Sequence, residues 1–148
     1  MPKPKLKDYT YEEHRVYSLI FHLIFVVKYR QKVFQEGIGI IEDMKERLVS
    51  IAKEQKVEIL EIECGIDHVH LLISTSPNVE ITKLINFLKG NSSRFIREKY
   101  ATFLRDKLWG DHFWSGSYFI ASTGNVSIDV LKDYIEKQRG RLAKDDDE

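Results

Sequence analysis

A single α+β domain, one antiparallel sheet carrying helices, is the fold the sequence predicts. Four short stretches rich in branched and aromatic residues read as strands, and three longer ones repeat apolar residues at helical spacing. They run strand, helix, strand, strand, helix, strand, helix, which is two strand-helix-strand halves and one more helix. At 148 residues the chain is of one-domain size and can bury a substantial core without disulfides.

Residues 1–12, with Pro2, Pro4 and several lysines, read as a loose arm. Tyr17 to Val27 follows, apolar on both faces as expected of a strand covered on both sides. It ends at the polar run Lys28-Tyr29-Arg30-Gln31-Lys32. Ile40, Ile41, Met44, Leu48, Ile51 and Ala52 mark an amphipathic helix over residues 40–55. Val57 to Cys64 and His68 to Thr75 are strands joined by the turn Gly65 to Asp67, an antiparallel hairpin that Pro77-Asn78 stops. Ile81, Leu84, Ile85, Leu88, Phe95 and Ile96 give a second helix. Its middle, Gly90-Asn91-Ser92-Ser93, is small enough for close approach of a ligand or of a packed helix. Residues 109–116 read as loop, Ser117 to Ser122 as a short strand, and Thr123-Gly124-Asn125 as a breaker. Ser127 can cap a last helix running to about Gly140, ahead of an acidic tail over 141–148. This order is the ferredoxin-like, RRM-like pattern with an added C-terminal helix.

Lys plus Arg number 23, as do Asp plus Glu, so net charge lends nucleic-acid binding no support. Such a reading rests on local patches. The last four residues, Asp145 to Glu148, are all acidic, and without them the body is positive by four, 23 against 19. The single cysteine, Cys64, rules out an intramolecular disulfide and suits a reducing cytoplasmic setting, with the expected role of a small buried apolar residue. The apolar run 17–27 is too short to span a bilayer and is broken by Ser18 and His22. No signal-peptide pattern precedes it, so no membrane partner is expected.

His68 and His70 share one face of their strand, roughly 7 Å apart, while Val69, Leu71 and Ile73 point to the other. Two imidazoles so placed can converge on one metal ion if a third ligand comes from elsewhere. A pair of hydrogen-bonded histidines, at the surface or in the core, is an equally weighted reading. Tyr134 and Gln138 lie four apart and continue a helical stripe begun by Leu131. Apolar periodicity alone favours a core aromatic at Tyr134. A stripe ending in polar groups nonetheless needs partners for them, and a metal-bound amide oxygen is one.

His68-Val69-His70, with Asp67 before and Leu71-Leu72-Ile73 after, together with Tyr134-Ile135-Glu136-Lys137-Gln138, resembles the single-tyrosine HUH transposases of the IS200/IS605 family. Tyr29-Arg30, the run Leu88 to Arg94, and Leu108-Trp109-Gly110 followed by Trp114 and Ser117-Tyr118 extend the resemblance over nearly everything from Tyr17 to Gln138. It implies that His68 and His70 are metal ligands around the bulky Val69, that Tyr134 is the nucleophile and that Gln138 is the third ligand. It also implies a homodimer in a prokaryotic cytoplasm, cutting single-stranded DNA beside hairpins at the ends of an element. The products are a 5′-phosphotyrosine and a free 3′-hydroxyl. In the family the tyrosine helix can pack on the partner subunit, so shared active sites are expected, with Gly124 as a hinge.

The implied ion is Mg²⁺ or Mn²⁺, although two nitrogens also bind Zn²⁺ or Ni²⁺, and the metal's identity stays open. A phenol is a poor nucleophile at neutral pH, and its base is unassigned among the metal's field, Lys137 and water. Asp67 is expected to shape the turn rather than to support a ligand. For DNA, Lys28, Tyr29 and Arg30 form one cluster with Lys32, and Lys89, Arg94 and Arg97 another; either can equally be a solvated face. Trp109, Phe113 and Trp114 are expected in a core. The rival readings are a noncatalytic RNA- or single-strand-binding module and a domesticated relative that processes palindromes. The binding module leaves the joint occurrence of His68, His70, Tyr134 and Gln138 unexplained.

Overall fold

The computed structural model describes residues 10–12, 15–108, 110, 112–123 and 134–137. Where a loose arm was expected, β1 (Thr10–Glu12) pairs with β2 (Arg15–Tyr17) as a separate two-stranded hairpin. Strands β3 (Leu19–Val27), β4 (Glu58–Cys64), β5 (His68–Thr75) and β6 (Trp114–Ser122) form an antiparallel sheet in the order β4-β5-β3-β6. Helix α1 (Ile40–Glu54) connects β3 to β4, and α2 (Ile81–Lys99), with the short α3 (Ala101–Leu104), connects β5 to β6. This is the ferredoxin-like arrangement the element order predicts.

Burial along β5 alternates without a break, with Val69, Leu71, Ile73 and Thr75 inside and the residues between them half-buried. The buried set packs with Leu23, Phe25 and Val27 of β3 against Met44 and Leu48 of α1 and Leu84 and Leu88 of α2. Both helices therefore cover one face of the sheet, and the histidines belong to the other.

Helix α1 ends in a left-handed turn. Lys56 sits at φ 62°, Val57 donates to the Ala52 carbonyl at 2.9 Å and Lys56 to that of Lys53 at 3.0 Å, the paired bonds of a Schellman motif. The small segment of α2 divides its tasks. Asn91 accepts from Arg47 Nε at 2.9 Å, tying α2 to α1, and buried Ser92 accepts from the Trp114 indole at 3.1 Å. A Cβ at Gly90 would meet nothing within 4 Å. Strand β6 begins at Trp114, three residues ahead of the expected Ser117, because Phe113 and Trp114 are buried edge to face in the core rather than looped out. Half-buried Cys64 has its thiol pushed up to about 11 by burial, which leaves it unreactive at neutral pH. No helix among the described residues is long and apolar enough to cross a membrane.

Candidate active site

The open face is built by register. Ile24 of β3 stands opposite His70 on one side and Phe119 on the other, and Val26 stands opposite His68. Partners in an antiparallel ladder project to the same side, so His68, His70 and Phe119 share the face that the helices leave free. His22, two residues from Ile24, lies diagonally across from His70. Its Nδ1 meets His70 Nε2 at 2.9 Å, and the two rings stack with centroids 5.1 Å apart. The sequence showed His22 only as a polar break in an apolar strand; which histidines meet is a matter of register.

His68 is held differently. Its Nδ1 donates to Asp67 Oδ1 at 2.9 Å, while Asp67 Oδ2 takes Arg30 Nε at 2.7 Å. Asp67 was expected to shape the turn, but its carboxylate grips His68 and Arg30, and the turn itself closes through Gly65 N–H donating to the His68 carbonyl at 2.8 Å. Burial pushes this carboxyl up, and the hydrogen bonds from His68 and Arg30 outweigh it, leaving the group below the usual carboxylate range and ionised. Gly65 makes room for the ring: a Cβ there would stand 2.2 Å from His68 Cε1.

Arg30 reaches inward because Tyr29 and Arg30 both adopt left-handed backbone, with φ 59° and 52°. Such conformations cost non-glycine residues roughly 1–3 kcal/mol each and persist where surrounding contacts over-determine them. The Arg30 side chain is 9% exposed, and its Nη1 donates to the carbonyl of Ile135 at 2.6 Å. Residues 134–137 are helical, and the Tyr134 ring packs on Phe119 at 5.0 Å between centroids, with its hydroxyl shielded from solvent. Phe119 is two strands from His70, roughly 10 Å by strand spacing. The segment therefore docks on the open face of its own sheet. Gln138, Trp109, Gly124 and Ser127 lie outside the described residues.

The donor set fits a divalent ion. Burial, and then the charges of His22 and His68, hold the His70 imidazole below its usual range and so neutral near pH 7. A ligating histidine gives one ring nitrogen to the ion and the other to a neighbour; Asp67 is that neighbour for His68, and His22 for His70. Among the described residues no three His, Cys, Asp or Glu side chains are grouped to hold a metal. Gln138, the third ligand that the family resemblance implies, is not among them.

Of the residues expected at DNA, Arg30 is spent inside the protein and Lys28 stands 5.3 Å from the Tyr29 ring. Lys89, Arg94 and Arg97 instead line a cleft of about 600 Å³ between α2 and the start of β6, together with Glu98, Gly90, His112 and Gly116, so that cations outnumber the one carboxylate. Lys89 donates to the Ser115 carbonyl at 2.8 Å, and Arg97 donates to the carbonyl of Gly110.

The family model for IS200-like transposases matches residues 15–138. The ISDra2 transposase TnpA of Deinococcus radiodurans is 37% identical over 127 residues, covering 85% of this chain and 88% of that protein. The transposase for insertion sequence element IS200 of Salmonella typhimurium is 29% identical over 129 residues, covering 84% and 80%. A crystal structure of a Deinococcus radiodurans R1 protein assigned as a transposase superposes with a TM-score of 0.78 at 29% identity, over 87% of this chain and 97% of that one. A REP-associated tyrosine transposase bound to a REP hairpin shares the fold, with a TM-score of 0.52 at 11% identity, over 86% and 67%.

Proposed function

The chain belongs to the IS200-like transposase family, and from that premise we propose that this DNA transposase cuts and rejoins single-stranded DNA through Tyr134, beside an ion held by His68 and His70. The observation that carries the reading is the placing of the tyrosine segment on the histidine face of the sheet, through Arg30 and Phe119.

In the proposed reaction the Tyr134 oxygen attacks the scissile phosphorus, the bond to the 3′-oxygen breaks, and that oxygen leaves as a hydroxyl after taking a proton. The phosphate stays on the tyrosine as a 5′-phosphotyrosine. Rejoining reverses the step: a 3′-hydroxyl attacks the same phosphorus and the phenol is released. A bound Mg²⁺ or Mn²⁺ would supply Lewis-acid polarisation of the phosphate, with Gln138 as the third protein ligand. His22 and Asp67 fix the two imidazoles, so neither ring has to reorganise as charge develops. Shielding the phenol from water suits an intermediate that must be rejoined rather than hydrolysed, and the phosphate must enter the space that now covers it.

The basic cleft over Lys89, Arg94 and Arg97 would take the backbone of hairpin DNA at the element's ends. The working unit is a homodimer. A site shared between subunits requires the segment to leave Arg30 and Phe119 for the partner, and a site within one chain does not. Mixed dimers of His68→Ala and Tyr134→Phe chains separate the two, since only sharing restores cleavage.

The direct experiment incubates the protein with hairpin-bearing single-stranded DNA and Mn²⁺. A covalent protein-DNA adduct is expected, absent in Tyr134→Phe and in His68→Ala. Binding without an adduct would favour the noncatalytic module, and an adduct that survives Tyr134→Phe would remove the tyrosine from the mechanism.

A further inference from the structure

We propose that Asp67 and Arg30 form a positioning pair that ties docking of the tyrosine segment to the orientation of His68; this rests on the reading of His68 and Tyr134 given above. Three contacts in series carry it: His68 Nδ1 to Asp67 Oδ1 at 2.9 Å, Arg30 Nε to Asp67 Oδ2 at 2.7 Å, and Arg30 Nη1 to the Ile135 carbonyl at 2.6 Å. They join three parts of the chain distant in sequence, the turn after β3, the hairpin turn before β5 and the segment 134–137.

The pair is built rather than incidental. Both side chains are nearly withdrawn from water, 9% exposed for Arg30 and 8% for Asp67, so they do not belong to a solvated surface cluster. Asp67 spends one carboxylate oxygen on each neighbour, so that a shift of either tugs on the other. The backbone contributes independently, because two successive non-glycine residues, Tyr29 and Arg30, are held left-handed where ordinary turn geometry would cost less. That conformation is what accompanies an inward guanidinium. A planar fork can give Nε to a carboxylate and Nη1 to a carbonyl in another direction at once, which the point charge of a lysine on a flexible stem does not reproduce.

Arg30 and Asp67 touch neither phosphate nor ion in this scheme; they act through His68 and the Ile135 backbone. The test compares Arg30→Ala, Arg30→Lys and Asp67→Asn with wild type, each confirmed folded by circular dichroism. Arg30→Lys carries the test if Arg30→Ala does not fold. The expected result for both Arg30 variants is adduct formation at saturating DNA slowed at least tenfold, hairpin-DNA affinity within twofold of wild type, and Mn²⁺ binding measurably weakened through the loosened Asp67. Asp67→Asn should weaken Mn²⁺ binding as well, by about tenfold, as for loss of a ligand's hydrogen-bond partner. Amides of 134–137 should exchange faster in all three variants, with those of β5 unaltered.

Unaltered exchange at 134–137, or a wild-type adduct rate in either Arg30 variant, overturns the proposal. So does a fall in rate matched by an equal fall in DNA affinity, which would return Arg30 to the role of a DNA contact. If wild type itself forms no adduct, the proposed function fails, while the exchange measurement still decides whether the pair docks the segment.

Discussion

Replacing Gly65 by alanine tests whether His68 is held where the site needs it. The added Cβ would lie 2.2 Å from Cε1 of His68 and 2.7 Å from each ring nitrogen. Carbon atoms in ordinary contact stand about 3.5 Å apart, so the ring must withdraw by roughly 1.3 Å. A withdrawal of that size takes Nδ1 out of hydrogen-bonding range of Asp67, now at 2.9 Å. Displacing a group at the reaction centre by about 1 Å costs on the order of a hundredfold in rate, about 2.7 kcal/mol of barrier. The fold should scarcely notice. Gly65 is not in left-handed backbone, so alanine gains about 0.4–1 kcal/mol through the unfolded chain, offsetting the hydrogen bond lost at His68. Gly65→Ala should therefore unfold in urea within about 1 kcal/mol of wild type, bind Mn²⁺ more weakly, and form the DNA adduct about a hundredfold more slowly. An adduct rate within threefold of wild type, from a protein of normal stability, would refute the reasoning.

Lys56→Gly should raise stability by about 0.5–1 kcal/mol and the melting temperature by a few degrees, because φ 62° burdens lysine and suits glycine at the end of α1. Gly90→Ala should also stabilise by about 0.5–1 kcal/mol, since a helical glycine with open space beside it packs nothing, and it should weaken hairpin-DNA binding if the strand crosses the cleft there. Both are read by thermal denaturation, the second also by electrophoretic mobility shift. Asp43, held below the usual carboxylate range by its hydrogen bonds from Lys99 and then Tyr100, contributes stability that is present above its unfolded value and lost as pH falls through its folded one. Tyr100, pushed up to about 12 by burial and then by Asp43, contributes stability that is present below pH 10 and lost as pH rises toward 12. The stability gap between wild type and Asp43→Asn, measured by urea titration, should form a plateau between roughly pH 4 and pH 10 and shrink on both sides.

What could be read from the chain follows the range of the physics. The alternation of His68, Val69, His70, Leu71 and Ile73 is local, and it placed imidazoles on one face and aliphatics on the other, as β5 has them. The boundaries of α1 and of β5 were equally legible, because helical and strand periods leave their mark within a few residues. His22 was in view as a polar break, yet its meeting with His70 depends on a ladder 48 residues away in sequence. Arg30 read as a DNA contact because a cation beside an aromatic in a polar run looks exposed; two left-handed residues turned it inward, and composition does not announce them. The same holds for Asp67, whose place in the turn hides its grip on His68.

The two halves of the site differ in how they are held. His68 and His70 sit on β5, paired along its length with β3 on one side and β4 on the other, so the backbone of neither histidine can move without opening a sheet ladder. The tyrosine segment is held by side chains: a charge-assisted hydrogen bond from Arg30 to Ile135, worth about 1.5–3 kcal/mol, and a ring contact with Phe119, worth about 0.5–1.5 kcal/mol. Contacts of that size can be made and broken without unfolding the domain. The proposed reaction, which first bonds a strand to Tyr134 and later gives it up, asks for this division, with imidazoles on a fixed strand and a tyrosine whose docking a single guanidinium can tune.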